Sequence, residues 1–291
     1  MMYRDPPTEI LDDWALWGVM DERPSPAMFT PLLGGLTNLS YLINVKGRRF
    51  TLRVEGENSK ELGIDRNVEL SVHDALIHSG VTPNIVFHNP SKHYWIREYV
   101  DGHMPTKSNI TLKQISSMVE VLSSVHQLDT RIQLPVISLK KRSFNLLSVL
   151  CQSGYLNKSQ SHQINSILVG MPEFPTDGPC ELDDLALCHM DPTLKNWIFS
   201  EDEKLWLIDW EYAGLGHPLW DIAVLVDEIP FERCIEDIVL SAYNKSFKHF
   251  SITELERAIK QIGVVSWLWY AIQSHLSPDD LVENFMELTW A

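Results

Sequence analysis

His189-Met190-Asp191-Pro192-Thr193-Leu194-Lys195-Asn196 and, shortly downstream, Leu205-Trp206-Leu207-Ile208-Asp209-Trp210-Glu211-Tyr212 decide how this chain is to be read. The second stretch is an apolar strand that delivers an acid, Asp209, at its exposed end. Along an extended chain side chains alternate, so Asp209 and Glu211 are expected on one side. Together the two stretches supply the groups that phosphoryl transfer needs. One carboxylate orients an attacking hydroxyl and takes its proton, and a second holds magnesium on the phosphates. A neutral oxygen ligand shares that metal without adding negative charge. Asp191 fits the first role, Asp209 the second and Asn196 the third. His189 reads as a strut for the loop, and Cys188 as packing.

Upstream, the remaining requirements follow in order. Gly34-Gly35-Leu36-Thr37-Asn38 lies between two predicted strands, where a glycine-rich turn brings backbone N–H groups onto phosphates. Arg53 lies in the next strand and Glu69 in the following helix, a cation and acid placed to position phosphates. Arginine keeps its proton and serves as a permanent clamp.

Around these motifs, residues 39–45 and 49–54 read as a hairpin across Lys46-Gly47-Arg48. Residues 65–79 have helical spacing, with Gly80 to end them. Short strands follow near 85–87 and 94–100. Asp101-Gly102 is a turn signal and the natural linker. Helical periodicity then covers 111–128, 142–152 and 159–169, interrupted by a strand-turn-strand unit at 186–210. The expected fold is α+β and bilobal: residues 1–100 form a strand-rich nucleotide lobe, and residues 101–291 a mostly helical catalytic and acceptor lobe.

Composition bounds the partners. The 291 residues carry 39 acids against 24 bases, a formal charge of −15, which disfavours nucleic acid and suits a cationic substrate. No apolar run is long enough to span a membrane. The N-terminus has no secretory pattern, and the four cysteines have neither CxxC pairing nor metal-ligand spacing. A cytoplasmic protein with reduced thiols is expected.

The chain resembles the choline/ethanolamine kinases, particularly those of bacteria, within the aminoglycoside-phosphotransferase-like kinases. The segments that carry the resemblance are Gly34 to Asn38, Leu52-Arg53, Cys188 to Asn196, Leu207 to Tyr212, and Pro218-Leu219-Trp220-Asp221-Ile222-Ala223. The resemblance implies a protein-kinase-like fold and ATP as donor. It also implies Mg2+ at Asn196 and Asp209, catalysis by Asp191, and a phosphate clamp of Arg53 with Glu69. Eleven residues lie between Asp209 and Asp221, too few for the activation and peptide-docking segments of a protein kinase, so a small alcohol is the expected acceptor.

For a quaternary ammonium such as that of choline, a site needs aromatic faces and a carboxylate. The resemblance places Tyr212, Glu228 and Trp269 there, with Glu211 beside them. Trp267 is separated from Trp269 by about 200° of helix rotation and is assigned to packing. Thiamine is the competing acceptor. The reading from another class is a kinase-like binding protein without transfer activity, against which the intact Asp191, Asn196 and Asp209 speak. The sequence leaves the oligomeric state open.

Overall fold

In the computed structural model, residues 39–54 form the expected hairpin, β2 (Leu39–Val45) and β3 (Arg48–Val54), paired from Leu39↔Val54 to Val45↔Arg48. Its two turn residues, Lys46 (φ 50°) and Gly47 (φ 82°), both adopt positive φ. That backbone matches the right-handed twist of the flanking strands. The structure describes residues 5–32, 37–56, 59, 62–91, 93–129, 134–176, 178–229 and 235–290. Gly34, Gly35 and Cys234 lie outside the described residues.

The hairpin is the centre of a five-stranded antiparallel sheet with strand order β1-β2-β3-β5-β4. The other members are β1 (Phe29–Leu32), β4 (Ile85–Asn89) and β5 (Tyr94–Glu98). Inward residues of these strands build a small core around Tyr41, Ile43, Phe50, Leu52 and Ile96. The N-terminal segment, which the sequence left unassigned, belongs to that core. Helix α1 (Thr8–Leu11) buries Ile10 and Leu11, and Trp17 donates its indole N–H to the Tyr94 hydroxyl at 2.8 Å.

Helix α2 (Arg66–Leu76) follows β3 and is capped by Asp65, whose side chain accepts from the amides of Asn67 and Val68. The helix ends before Gly80, in a turn. Its apolar face turns away from the small core: Val68, Val72 and Leu76 pack with the larger cluster formed by the second half of the chain. The two cores therefore divide the molecule differently from chain order.

The crossing to the second lobe differs from the turn expected at Asp101-Gly102. Gly102–His103 is a strand, β6, paired with β8 (Trp197–Ser200), which in turn pairs with β9 (Leu205–Leu207). A Cβ on Gly102 would lie 2.3 Å from the carbonyl oxygen of Phe199, so close backbone approach requires the glycine. A second pair, β7 (Ala186–Cys188) with β10 (Gly214–Gly216), brackets the catalytic segment.

The helical expectations hold with shifted ends. Helix α3 (Leu112–His126) starts at a capping box of Thr111 and Gln114. Helix α4 (Leu139–Gln152) begins three residues earlier than the periodicity indicated, with Ser138 as cap, and α5 is Lys158–Gly170. Helices α6 (Leu219–Asp227), α7 (Ile235–Ser246), α8 (Ile252–Ile272) and α9 (Pro278–Met286) complete the lobe. Trp197, Trp210 and Trp220 are fully buried there, and each such side chain contributes about 1.5–3 kcal/mol or more through area removed from water.

Candidate active site

The catalytic loop is held by a buried acid from α6. Asp221 accepts from the backbone N–H groups of His189 (2.8 Å) and Met190 (2.7 Å), and from His126 Nε2 at 3.1 Å. With Nε2 donating, His126 Nδ1 accepts from the Tyr243 hydroxyl at 2.7 Å. The loop needs this brace because Met190 has φ 69°, a conformation that costs a side-chain-bearing residue about 1–3 kcal/mol. His189 is the expected strut. It is buried, bonded through Nε2 to the Ile208 carbonyl at 3.0 Å, and packed edge-on against Trp210. Cys188 is buried packing, its thiol raised well above its ordinary value by burial.

Asp191 then projects into a cleft of about 280 Å³ between the lobes. Asn196 donates its amide to the Asp191 carbonyl (2.8 Å) and to Oδ2 (2.9 Å), which turns the Asn196 carbonyl oxygen away from Asp191. Burial pushes the Asp191 carboxyl up to about 6; Lys195, at 3.8 Å, opposes that rise, and the charge of Asp209 adds to it. A carboxylate raised toward neutrality is a stronger base for a hydroxyl proton.

Asp209 is delivered differently from the sequence reading. Strand β9 stops at Leu207, and Asp209 sits in the left-handed region at φ 70°. The strand alternation argument therefore fails as a mechanism, although Asp209 and Glu211 still meet on one group. Asp209 Oδ1 lies 3.2 Å from Arg53 Nη1, and Glu211 Oε2 lies 2.9 Å from Arg53 Nη2.

Arg53 is the hub of one end of the cleft. It donates to both oxygens of Glu69, at 2.7 and 3.4 Å, and its guanidinium lies 4.6 Å from the Trp95 ring centroid. Burial disfavours its charge, but Glu69, Asp209 and Glu211 outweigh that and leave its pKa raised. Glu211 is wired into this end. Its Oε2 accepts from Asn38 (2.8 Å), Arg53 and Arg66 (2.9 Å), with only 3 % of the side chain exposed. Its carboxylate is thus tied to the clamp, where the sequence had set it beside the acceptor. Asn38 closes the circuit by accepting from Arg66 Nη2 at 2.9 Å. Thr37 lines the same cleft.

At the other end, Tyr212 and Trp269 come together as expected: the Trp269 indole N–H donates to the Tyr212 hydroxyl at 3.1 Å. Trp267 packs edge-on against Phe285, as assigned. Glu228, at the end of α6, faces the cleft, with Lys107 Nζ 3.5 Å from its Oε1. Its neighbour Asp227 also lines the cleft, and its pKa is raised by burial and then by the charge of Glu228.

Sequence reasoning missed Arg66, Arg97 and Arg142. Arg66 could have been found, since it precedes Glu69 by three residues on one helix face and pairs with it at 2.8 Å. Arg97 shares the inward face of β5 with Trp95, and burial followed by the charge of Arg53 pushes its pKa down to about 10. Arg142 approaches from α4 with its guanidinium 4.3 Å from the Tyr212 ring centroid, and no local pattern marks it.

Comparisons with known proteins bear on the family and the fold. The family model described as choline/ethanolamine kinase matches residues 29–246. Protein LicA of Haemophilus influenzae is 26 % identical over 239 residues, which cover 80 % of this chain and 67 % of that protein. The choline kinase of Cryptosporidium parvum Iowa II superposes with a TM-score of 0.72 at 17 % identity, covering 97 % of this chain and 94 % of that one. The choline kinase LicA of Streptococcus pneumoniae superposes with a TM-score of 0.70 at 18 % identity, covering 97 % and 99 %. Among the described residues, no helix is long and apolar enough to cross a membrane.

Proposed function

The chain belongs to the choline/ethanolamine kinase family, within the protein-kinase-like superfamily, and we propose that it transfers the γ-phosphoryl group of ATP to the hydroxyl of choline. Its class is that of a phosphotransferase with an alcohol as acceptor, and the family match favours an amino alcohol over thiamine. The observation that carries the reading is the convergence of Asp191, Asn196 and Asp209 on one cleft, with the Arg53–Glu69 pair beside Asp209.

Asp191 is the base in this reading. It orients the acceptor hydroxyl and takes its proton as the oxygen attacks phosphorus. The residues also fit Mg2+. Asp209 Oδ1 is buried without a hydrogen bond despite its proximity to Arg53, and the Asn196 carbonyl oxygen is left available by its committed amide. A metal held there would neutralise phosphate charge. Arg53, fixed by Glu69 and Glu211, orients the phosphates, and Thr37 and Asn38 line the same cleft. The aromatic faces of Tyr212 and Trp269 and the acids Asp227 and Glu228 suit a cationic acceptor.

We assign residues 1–100 to the nucleotide side and 101–291 to the catalytic and acceptor side. The free thiols of Cys151, Cys180 and Cys188 suit a reducing cytoplasm. The test is ADP release with ATP and Mg2+ against choline, ethanolamine, thiamine and kanamycin. Turnover with choline is expected, and loss of about 10²–10⁴ in kcat for Asp191→Asn. Turnover with thiamine alone overturns the acceptor, and full activity of Asp191→Asn overturns the base.

A further inference from the structure

The arginines of the cleft fall into two kinds. Arg53 and Arg66 are enclosed by carboxylates, each within 3.6 Å of Glu69, Glu211 or another acid. Arg97 has no ion pair among the described residues but lies at the same end, where the charges of Asp209 and Glu69 support it. Arg142 stands apart, at the acceptor end. Among the described residues it makes neither an ion pair nor a side-chain hydrogen bond, and its close contact is the face of Tyr212. Burial lowers its pKa, opposed by Tyr212, which it contacts, and by Asp191 and Glu211, with which it forms no ion pair.

Its place at the start of a helix does not favour its charge. Arg142 follows Lys140 and Lys141 in the first turn of α4, the end of a helix where the backbone dipole disfavours cations. Lys140 is relieved by the Val169 carbonyl at 2.9 Å, whereas Arg142 points into the cleft. Its contact with the Tyr212 ring uses none of its N–H groups, which among the described residues stay free for a planar or tetrahedral anion.

Phosphoryl transfer creates such an anion there. The acceptor oxygen is neutral before attack. As it bonds to phosphorus, the bond to the ADP oxygen breaks, ADP leaves with the electron pair, and the hydroxyl proton passes to Asp191. The acceptor then carries a phosphate monoester of about two negative charges, beside Asp191, Asp227 and Glu228. Lys195 is near, but it is already engaged with Asp191 and half exposed.

We propose that Arg142 is a phosphoryl-binding residue on the acceptor side, stacked on Tyr212 with its N–H edge holding the phosphoryl oxygens as they arrive, and that its charge directs the acceptor's ammonium away from Tyr212 toward Trp269 and Glu228. This rests on the amino-alcohol kinase reading, and it moves the ammonium off one of the two aromatic faces first assigned to it.

Calorimetric titration of the full chain with choline, phosphocholine and ethyl phosphate tests it, using the wild type, Arg142→Met and Arg142→Lys. For Arg142→Met, affinity for phosphocholine and ethyl phosphate is expected to fall tenfold or more, with choline binding unchanged or tighter. Arg142→Lys, which keeps the charge but loses the fork, is expected to lose severalfold on the two phosphates alone. It decides the matter if the methionine variant does not fold. Unchanged phosphate affinity, or equal weakening of choline, overturns the proposal. Wild-type binding of ethyl phosphate without choline, lost in the Arg142 variants, retains the phosphoryl role and overturns the choline reading instead.

Discussion

The two ends of the cleft are built on opposite principles. At the nucleotide end, Arg53 and Arg66 are locked to Glu69, Glu211 and Asn38 by bonds of 2.7–3.4 Å. At the acceptor end, among the described residues, the close polar contacts are one bond between Trp269 and Tyr212 and the looser Lys107–Glu228 pair at 3.5 Å. A prewired ion network holds its geometry before any ligand arrives, and it couples each member to the stability of the fold. An end built from aromatic faces and an unpaired guanidinium leaves its charges to be satisfied by the ligand. The first arrangement serves a constant donor. The second lets acceptor preference change through few residues and at little cost to folding.

The sharpest test breaks the wired end. Glu211→Gln leaves Arg53 and Arg66 short of a buried counter-charge, and it is expected to destabilise the protein by about 3 kcal/mol as well as raise KM for ATP. Denaturant unfolding and kinetics read both. Unchanged stability would erase the contrast between the ends.

A second test uses acid. His73 lies beneath this end, packed on Trp95, and burial followed by the charges of Arg97 and Arg53 pushes its pKa down to about 3. Below an unfolded value of about 6.5 the unfolded chain takes a proton that the folded chain refuses. Stability is therefore full above that pH and is lost toward pH 3, at about 1.4 kcal/mol per pH unit. His217, pushed down to about 4 by burial, adds to the same slope over its narrower window. Melting curves from pH 7.5 to 5 should show a shallower decline in His73→Leu; an identical slope would remove His73 from the account.

The smallest effect belongs to the open end. Trp269→Ala is expected to raise KM for choline about fivefold, the loss of ~1 kcal/mol of cation–π contact, with KM for ATP and the melting temperature nearly unchanged. A melting loss as large as that of Glu211→Gln would show that the acceptor end is structural as well.

What the sequence disclosed followed from locality. Asp191, Asn196 and Asp209 sit in contiguous segments whose order mirrors the reaction, and the β2–β3 hairpin carries its own turn chemistry. Where a backbone left the regular menu, the reading slipped. Asp209 was expected at a strand's end but stands in a left-handed conformation, and Gly102 was read as a turn when its missing side chain admits the Phe199 carbonyl. Long-range charge was least legible. Glu211 was set beside the acceptor because nothing near it in sequence names Asn38 or Arg66 as partners, and Arg142 gains its meaning only by stacking on Tyr212.

The side on which α2 packs has a consequence for motion. Val72 and Leu76 anchor the helix in the larger core, so Glu69 travels with Asp209 and Glu211, while Arg53 travels with the sheet. Any movement of the sheet away from the larger core would draw Arg53 out of three carboxylates and break the bonds of Asn38 to Glu211 and Arg66 as well. Because Arg53, Glu69 and Glu211 are almost fully buried, salt screens this junction little, and its strength is set by the fold rather than by the medium.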